Sequence, residues 1–383
     1  MLITDADRQR VCELTKALIR LESDAMLGHE GAVGQWLYRF FAELDVPVEL
    51  QECAPGRWNV IATLPGRRAD RTILYSGHMD TVPLGDPSRW TSPATQPEVR
   101  DGRLYGRGAC DMKGSIACTL AMAEIITRRA ILPESTVRLV YDVDEENRNL
   151  GLHTYLQHAE PANLVLVGEP TSLRMAVGHR GVMAFTVHVQ GRSAHVGQAE
   201  QGNNALYAAA DVIARVRALQ STLAATRQPY LGSPSLHVTQ LHGGEKVNVI
   251  PEEAVLRLDR RLVGTENAES CEAQLDALLK QSEMATGCAM RRETTTYCPP
   301  GYTGPEQPEA RRVAEMLKDM GLPAEPVAFE ASCEAGLLHE RLGVPVLILG
   351  PGSIRQAHQP DEYVETDQLA CGLALYLRLF TTL

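Results

Sequence analysis

The sequence is short of positive charge and of long apolar runs, and each shortage excludes a class of protein. Its 37 Lys and Arg residues are outnumbered by 48 Asp and Glu residues, which gives a net charge of −11 at pH 7. No basic run interleaved with aromatic residues occurs, so binding to a nucleic-acid backbone is not expected. The longest apolar runs have the length of a strand, so no membrane span is expected.

Cysteine pairing is missing as well. The nine cysteines are scattered as single residues, with an odd total and no CxxC pair. A disulfide scaffold or a cysteine-ligated zinc site is therefore not expected, and reduced thiols in the cytoplasm are the better interpretation. The first ten residues show neither a signal-peptide pattern nor an Arg-rich transit helix, which agrees with a cytoplasmic protein.

What the sequence does contain is an alternation of helical and strand patterns. Apolar residues recur with helical spacing over 7–44, and short β-branched runs follow at Val60–Leu64, Thr72–Tyr75, Val137–Val143 and Leu164–Val167. Runs that are apolar on both faces suit the central strands of a sheet covered by helices. Near residue 178 the pattern changes to strand, helix, strand, strand and helix, with a last strand predicted at Ala289–Thr295.

We therefore predict an α/β fold whose catalytic domain has a central mixed sheet with helices on both faces. A smaller α+β domain of ferredoxin-like type, for dimerisation or as a lid, interrupts it. The predicted boundaries are 1–177 and 296–383 for the metal-binding catalytic domain and 178–295 for the insertion.

Five short segments carry metal-binding side chains, and each is predicted to follow a strand. Their ligand-type residues are His78 and Asp80, Asp111, Asp144-Glu145-Glu146, Glu169, and His358. The carboxyl ends of strands in an open α/β sheet form the crevice where ligands bind. Two imidazoles with three or four carboxylates suit a pair of Zn²⁺ ions, and a carboxylate shared between the ions would hold them about 3.5–4 Å apart.

Each segment also has an ordinary structural interpretation. A single His after a strand is more often packing or surface than a ligand, and an acidic turn is usually solvated. Glu169 before Pro170 fits a cap, and Asp111 fits the N-cap of a helix that begins at Met112. The metal interpretation depends on all five segments occurring together at strand ends of one predicted sheet.

In this combination the chain resembles the dinuclear zinc aminoacylases and carboxypeptidases, from about residue 10 to 380. The family includes acetylornithine deacetylase, succinyl-diaminopimelate desuccinylase and the glutamate-releasing carboxypeptidases. The motifs most similar to acetylornithine deacetylase, an enzyme of arginine biosynthesis, are GRGACDMKG at 106–114, GEPTS at 168–172 and GPGSIRQAHQPDEYVE at 350–365.

The resemblance implies a role for each matching position. His78 and Glu169 would bind one Zn²⁺, Glu146 and His358 the other, and Asp111 would bridge them; Co²⁺ may substitute for zinc. Asp80 would hold the His78 imidazole in its tautomer. Glu145 would be the general base that activates water and then protonates the leaving amine.

The resemblance also implies a contribution from the inserted domain. His195 in GRSAHVG would stabilise the oxyanion from the opposite subunit of a homodimer that forms through that domain. Asn248 and Arg261 match the contacts to the substrate carboxylate, for which Arg offers a bidentate grip. The neighbouring Arg260 leaves that assignment open, because a strand points the two side chains to opposite faces.

Two departures from the family pattern leave the substrate open. The turn Asn147-Arg148-Asn149 is more polar than usual and places Arg148 near the site, and Cys333 stands where relatives often have Thr. The desuccinylase signature Thr-Ser-Asp-Gly is absent, which disfavours that activity.

The implied substrate is a small N-acyl amino acid, with a dipeptide as the alternative if the chain is a carboxypeptidase or dipeptidase of the same mechanism. A non-catalytic metal-binding relative is a remote alternative. Such a protein would be expected to lack Glu145 or a ligand, and every expected position is filled.

Overall fold

The computed structural model describes residues 3–264 and 266–383. The helices are α1 (Asp5–Arg20), α2 (Gly31–Glu43), α3 (Lys113–Arg128), α4 (Leu150–Leu156), α5 (Ala205–Ala225), α6 (Ala268–Thr286), α7 (Pro308–Asp319), α8 (Ala335–Leu342) and α9 (Thr366–Thr382). The strands are β1 (Val48–Ala54), β2 (Arg57–Leu64), β3 (Arg68–His78), β4 (Glu98–Arg100), β5 (Arg103–Tyr105), β6 (Ser135–Asp142), β7 (Leu164–Val167), β8 (Gly178–His179), β9 (Gly181–Gln190), β10 (Ala194–His195), β11 (Ser235–Gly243), β12 (Val249–Ile250), β13 (Glu253–Leu262), β14 (Ala289–Cys298), β15 (Gly301–Tyr302), β16 (Val346–Ile348) and β17 (Tyr363–Glu365).

The chain divides into two compact units. Unit 1 comprises Met1–Gly178 and Tyr302–Leu383, and unit 2 comprises His179–Gly301. The insertion predicted from the sequence, 178–295, overlaps unit 2 over most of its length. That the two parts are separate catalytic and dimerisation domains stays a prediction.

Unit 1 is built on a six-stranded sheet in the order β1-β2-β6-β3-β7-β16. The strands from β6 to β16 run parallel, whereas β1 and β2 pair antiparallel, so the sheet is mixed. Alternate residues of the central strands enter two apolar clusters. One cluster includes α1, α2, α3, α7 and α9, and the other includes α4 and α8. Helices therefore cover both faces, which confirms the predicted fold class.

Unit 2 is a four-stranded antiparallel sheet in the order β11-β13-β9-β14. Alternate residues of β9 are buried, and Met183, Phe185, Val187 and Val189 pack in a core shared with α5 and α6. The chain order β9-α5-β11-β13-α6-β14 is that of a ferredoxin-like fold, as predicted.

Two features of the local structure differ from the sequence prediction. The helical pattern over 7–44 is interrupted between α1 and α2, where residues 21–30 form bends and a turn. β1 was not predicted, because it lies at the sheet edge and its sequence VELQECA is largely polar and only partly buried. Edge strands are solvated on one side and lack the apolar runs that identify central strands.

Candidate metal centre

Three of the five predicted ligand segments follow adjacent parallel strands of unit 1. β3 ends at His78, β6 is followed by the turn that carries Glu145 and Glu146, and β7 is followed by Glu169. Because β6, β3 and β7 are neighbours and run parallel, their carboxyl ends bring these side chains to one edge of the sheet.

The other two ligand residues are not at strand ends of this sheet, and the prediction was wrong for them. Asp111 lies in a turn directly before α3, and Met112 rather than Asp111 takes the N-cap position. His358 follows a 3₁₀ turn, Ile354–Gln356, and has a positive φ of 64°. Loop packing, rather than strand register, brings both residues to the sheet edge.

Glu362 links these two loops. Its buried carboxylate accepts hydrogen bonds from the backbone N–H groups of Cys110 (2.9 Å) and Asp111 (3.0 Å). The Arg107 guanidinium donates to the same carboxylate at 2.7 Å and to the Gln359 carbonyl at 3.3 Å. A buried ion pair thus joins the segment of Asp111 to the segment of His358, and the sequence analysis did not single it out.

The five predicted metal ligands form one chain of contacts, with Asp111 between the two imidazoles. His78 Nε2 is 3.0 Å from Asp111 Oδ1, and His358 Nε2 is 3.3 Å from Asp111 Oδ2. Glu169 Oε1 is 3.5 Å from His78 Nε2. Glu146 Oε1 is 2.9 Å from His358 Nε2. The geometry therefore groups His78 with Glu169 and His358 with Glu146, as in the two ligand sets implied by the resemblance.

The donor atoms fit divalent metal ions in both chemistry and spacing. His78, Asp111 and Glu146 each offer a ligand atom, and these atoms lie within 4.8 Å of one another. Two donors that share one Zn²⁺ at about 2.0–2.2 Å stand about 3–4 Å apart in tetrahedral coordination. The separations of 2.9–3.5 Å between these ligand atoms are close to that range.

Burial and mutual charge shift the pKa values of these groups in the metal-free protein. Burial, together with the charge of Asp111, raises the pKa of Glu169 to about 7. Hydrogen bonds with Asp111 and Glu146 raise the pKa of His358 to about 10. Burial acts to raise the pKa of Asp111, but hydrogen bonds from His358 and His78 outweigh it and hold that pKa below its usual range. Below about pH 7 the metal-free protein therefore carries protons on Glu169 and His358, and a bound cation would displace them.

Asp80 contacts the His78 imidazole and also the turn that carries the two glutamates. Its backbone carbonyl, not its carboxylate, faces His78 Nδ1 at 3.0 Å, and the nearest carboxylate oxygen is 3.9 Å away. The carboxylate instead accepts hydrogen bonds from the backbone N–H groups of Glu145 (3.2 Å) and Glu146 (3.0 Å). Because Asp80 is fully buried, these bonds fix the turn that carries both glutamates.

A second ion pair holds the residue before Glu145. The Arg57 guanidinium donates to Asp144 Oδ1 at 2.9 Å and also pairs with the carboxylate of Glu30, whose side chain is inaccessible. Asp144 has a φ of 70°, and its carbonyl accepts the N–H of Arg148 at 3.0 Å. Arg57 was not predicted from the sequence, because its partners are 27 and 87 residues away.

Glu145 lies beside two further carboxylates. Ligand atoms of Glu145, Glu169 and Glu334 are within 4.8 Å of one another. Burial raises the pKa of Glu145 well above its usual range. Glu334, directly before α8, was noted in the sequence only as the acidic residue after Cys333, and no function was predicted for it.

In unit 2 the structure brings two of the predicted residues together. β10 pairs with β12, so that His195 lies opposite Val249, and the Val196 N–H donates to the Asn248 carbonyl at 3.0 Å. The His195 side chain is exposed, and its Nδ1 accepts the Gly197 N–H at 3.0 Å. In the neutral ring the proton is therefore on Nε2, which leaves an N–H donor pointing away from this turn.

Arg261 is not close to that pair in its own unit. It lies near the end of β13, eight residues along the strand from Glu253, or about 27 Å at the rise of an antiparallel strand. Arg260 is buried and pairs with Glu266, whereas the Arg261 side chain is exposed and contacts Asp259 at 2.9 Å. Of the two arginines, Arg261 has the side chain that is accessible to solvent.

Comparison with known proteins identifies the family. A profile of peptidase family M20/M25/M40 matches residues 74–382. The chain belongs to that family. It also has the fold of solved structures whose sequences are 15–19% identical to its own.

Three of these structures cover nearly the whole chain. Aminopeptidase PepT from Bacillus cereus has 18% identity and a TM-score of 0.81, with 98% of each chain covered. The M20 family metallo-carboxypeptidase Sso-CP2 from Sulfolobus solfataricus has 19% identity and a TM-score of 0.71, with 99% of this chain and 100% of that chain covered. The YxeP protein of Bacillus subtilis, described as a dinuclear metal-binding peptidase of the M20 family, has 15% identity and a TM-score of 0.74, with 99% and 98% covered.

Membership of the M20/M25/M40 family confirms the predicted relationship to the zinc aminoacylases and carboxypeptidases. It also confirms the enzyme class, a metal-dependent amidohydrolase. In the part of the chain that the structure describes, no helix combines the length and apolarity needed to cross a membrane.

Proposed function

We propose that this M20/M25/M40 family member hydrolyses the amide bond of a small N-acyl amino acid at a pair of zinc ions. The observation that carries the proposal is Asp111, whose two carboxylate oxygens face the imidazoles of His78 and His358. Glu169 completes one side of this arrangement and Glu146 the other. Co²⁺ is expected to substitute for zinc, because the same nitrogen and oxygen ligands suit it.

The chain's own residues supply the proton transfers. Bound metal ions would polarise the amide carbonyl and lower the pKa of a coordinated water. Glu145, next to the ligand Glu146 and held by Asp80, accepts the proton of the attacking water and delivers it to the leaving amine. Because burial raises the pKa of Glu145, the side chain holds that proton more readily than an exposed glutamate would.

The oxyanion and the substrate carboxylate need further donors, and unit 2 offers them. We assign the Nε2–H of His195 to the oxyanion, and the exposed side chains of Asn248 and Arg261 to the carboxylate. Within one unit 2, His195 and Arg261 lie too far apart along the sheet to contact one small substrate.

We propose a homodimer in which one subunit supplies His195 and the other supplies Arg261 to the same site. The exposed apolar side chains of Tyr207, Leu241 and Val247 in unit 2 are available for such an interface.

Acetylornithine is the first substrate to test, because the segments 106–114, 168–172 and 350–365 resemble those of its deacetylase. That activity would place the protein in amino-acid metabolism and arginine biosynthesis. The cysteines are scattered as single residues without a CxxC pair, which supports a cytoplasmic location.

A dipeptidase or carboxypeptidase activity of the same mechanism is the second candidate. Two of the solved structures with this fold are described as an aminopeptidase and a metallo-carboxypeptidase.

The experiment compares turnover of N-acetyl amino acids, N-acetylornithine among them, with turnover of dipeptides, using protein loaded with two Zn²⁺ per chain. Faster hydrolysis of the N-acetyl compounds supports the deacetylase proposal. Faster hydrolysis of the dipeptides supports the second candidate. Hydrolysis of neither class by fully metallated protein would contradict both.

A further inference from the structure

Three carboxylates converge beside the candidate metal centre, and one of them has no partner. Oxygen atoms of Glu145, Glu169 and Glu334 lie within 4.8 Å of one another. The Glu334 side chain is 1% exposed. Among residues 3–264 and 266–383, neither of its carboxylate oxygens has a hydrogen-bond partner.

The charges around Glu334 do not compensate it. Glu169 and Asp142 repel its negative charge, and His78 opposes this effect. No Lys or Arg side chain in the described parts of the chain forms an ion pair with it. A charged carboxylate that is buried without a partner is destabilising, so a cation at this position would stabilise the ionised form of Glu334.

A primary ammonium group matches the cluster in shape. It carries three N–H donors and no acceptor, while three carboxylates offer acceptors only. Because these oxygens lie within 4.8 Å of one another, a nitrogen atom placed between them can come within about 2.8 Å of all three, which is the length of a charge-assisted N–H···O hydrogen bond.

We propose that Glu334, together with Glu145 and Glu169, binds a primary ammonium group of the substrate. This inference rests on the proposed function, because Glu145 is then the base beside the scissile amide, and the ammonium group lies close to the carbonyl. The free amine of an aminoacyl group is attached directly beside the carbonyl. The side-chain ammonium of an acylated diamino acid such as ornithine reaches the same position when its flexible side chain folds back toward the carbonyl.

Glu334→Gln tests the proposal with substrates matched in shape. Glycyl-leucine is compared with propionyl-leucine, in which a methyl group replaces the ammonium. N-acetylornithine is compared with N-acetylnorleucine in the same way. Glu160→Gln, which removes one negative charge from an exposed ion pair with Arg138, is the control. Metal content and melting temperature are measured for every variant.

The expected result is a fall in kcat/KM on the order of ten- to a hundredfold for the ammonium-bearing member of one pair, with little change for its neutral partner. Which pair responds identifies the position of the ammonium group. Because the substitution removes an uncompensated buried acid, the melting temperature of the substrate-free protein should stay the same or rise.

Three results would overturn the proposal. An equal fall for charged and neutral substrates would mean that Glu334 supports the site rather than the ammonium. Loss of bound metal in Glu334→Gln would assign the cluster to a metal ion. Unchanged kinetics for all four substrates would remove any role in substrate binding.

Failure of the proposed function gives a different result. The unmutated, zinc-loaded protein would then hydrolyse none of the four compounds. Calorimetric titration with ornithine and norleucine still tests the ammonium site in that case. Tighter binding of ornithine, lost in Glu334→Gln and kept in Glu160→Gln, supports the site, and equal binding of both amino acids contradicts it.

Discussion

The Asp80 carboxylate accepts a hydrogen bond from the backbone N–H of Glu145 at 3.2 Å. A second bond, from the N–H of Glu146, reaches the other oxygen at 3.0 Å. Asp80 therefore positions the proposed base and an adjacent ligand through the backbone, while its carbonyl faces the His78 ring. The resemblance implied that Asp80 holds the His78 imidazole. In the structure the Asp80 carbonyl makes that contact, and the carboxylate has the separate role of holding the two glutamates.

Asp80→Asn separates these two roles. An amide oxygen can keep one of the two bonds, but the amide nitrogen is a donor and opposes the other N–H. We expect kcat to fall about ten- to a hundredfold while metal content stays near that of the unmutated protein. Loss of metal from Asp80→Asn, measured by elemental analysis, would instead favour a carboxylate that acts on His78.

Arg57→Met tests the ion pairs that hold the segment before Glu145. The substitution leaves the carboxylates of Glu30 and Asp144 buried without their cation, so the free energy of unfolding should fall by about 3 kcal/mol. Arg10→Met is the control, since Arg10 forms an exposed pair with Glu124 that is worth about 1 kcal/mol or less. Similar denaturation midpoints for the two variants would contradict the structural role given to Arg57.

The sequence predicted the parts of the site that follow strands. β3, β6 and β7 are recognisable from their apolar residues, and their carboxyl ends carry His78, Glu145, Glu146 and Glu169. The positions of Asp111 and His358 depend on Glu362 and Arg107, which lie about 250 residues apart in the chain. No local pattern reveals such a contact, so the sequence identified Asp111 and His358 as candidate ligands but placed them wrongly at strand ends.

The same difference between local sequence patterns and long-range contacts explains why Arg57 and Glu334 were missed. Arg57 and Glu334 belong to a strand start and a helix start whose sequences look ordinary, and only burial against distant carboxylates makes them notable. In unit 2, by contrast, strict alternation along β13 already indicated that Arg260 and Arg261 face opposite sides. The structure shows which of them is buried.

Metal affinity should depend on pH in a direction set by the displaced protons. Glu169 must ionise and His358 must be neutral to bind a cation, and in the metal-free protein their pKa values are raised to about 7 and about 10. The apparent affinity should therefore rise with pH, by up to about tenfold per unit for each proton displaced. Competition titrations with a chelator at pH 6, 7 and 8 check this, and an affinity that does not change with pH would contradict it.

The stability of the metal-free protein should change with pH as well. A carboxyl group whose pKa is raised on folding, as for Glu169, stabilises the fold when protonated and loses that contribution as pH rises from about 4.5 to about 7. The melting temperature of chelator-treated protein should thus fall over this interval relative to that of zinc-loaded protein. If the melting temperatures of the two forms changed equally with pH, a raised pKa of Glu169 in the metal-free protein would be contradicted.

The role of His195 can be tested across subunits. His195→Ala should keep its metal and lose about 10²–10³-fold in kcat, since it removes one oxyanion donor; His158→Ala, which removes another exposed histidine, should keep its activity. Mixing His195→Ala with Glu145→Gln should restore activity, because one site of each heterodimer then has both groups intact. No recovery, with heterodimers demonstrated independently, would mean that His195 acts within its own chain or has no catalytic part.

The most direct test of the whole account measures metal content and kcat for Glu145→Gln and Glu146→Gln side by side. The account predicts that Glu145→Gln keeps two metal ions per chain while kcat falls about 10²–10⁴-fold, because only the base is removed. Glu146→Gln should instead lose metal, since Glu146 Oε1 lies 2.9 Å from His358 Nε2 in the proposed ligand set. If Glu145→Gln loses metal and Glu146→Gln retains both ions, the assignment of base and ligand is contradicted.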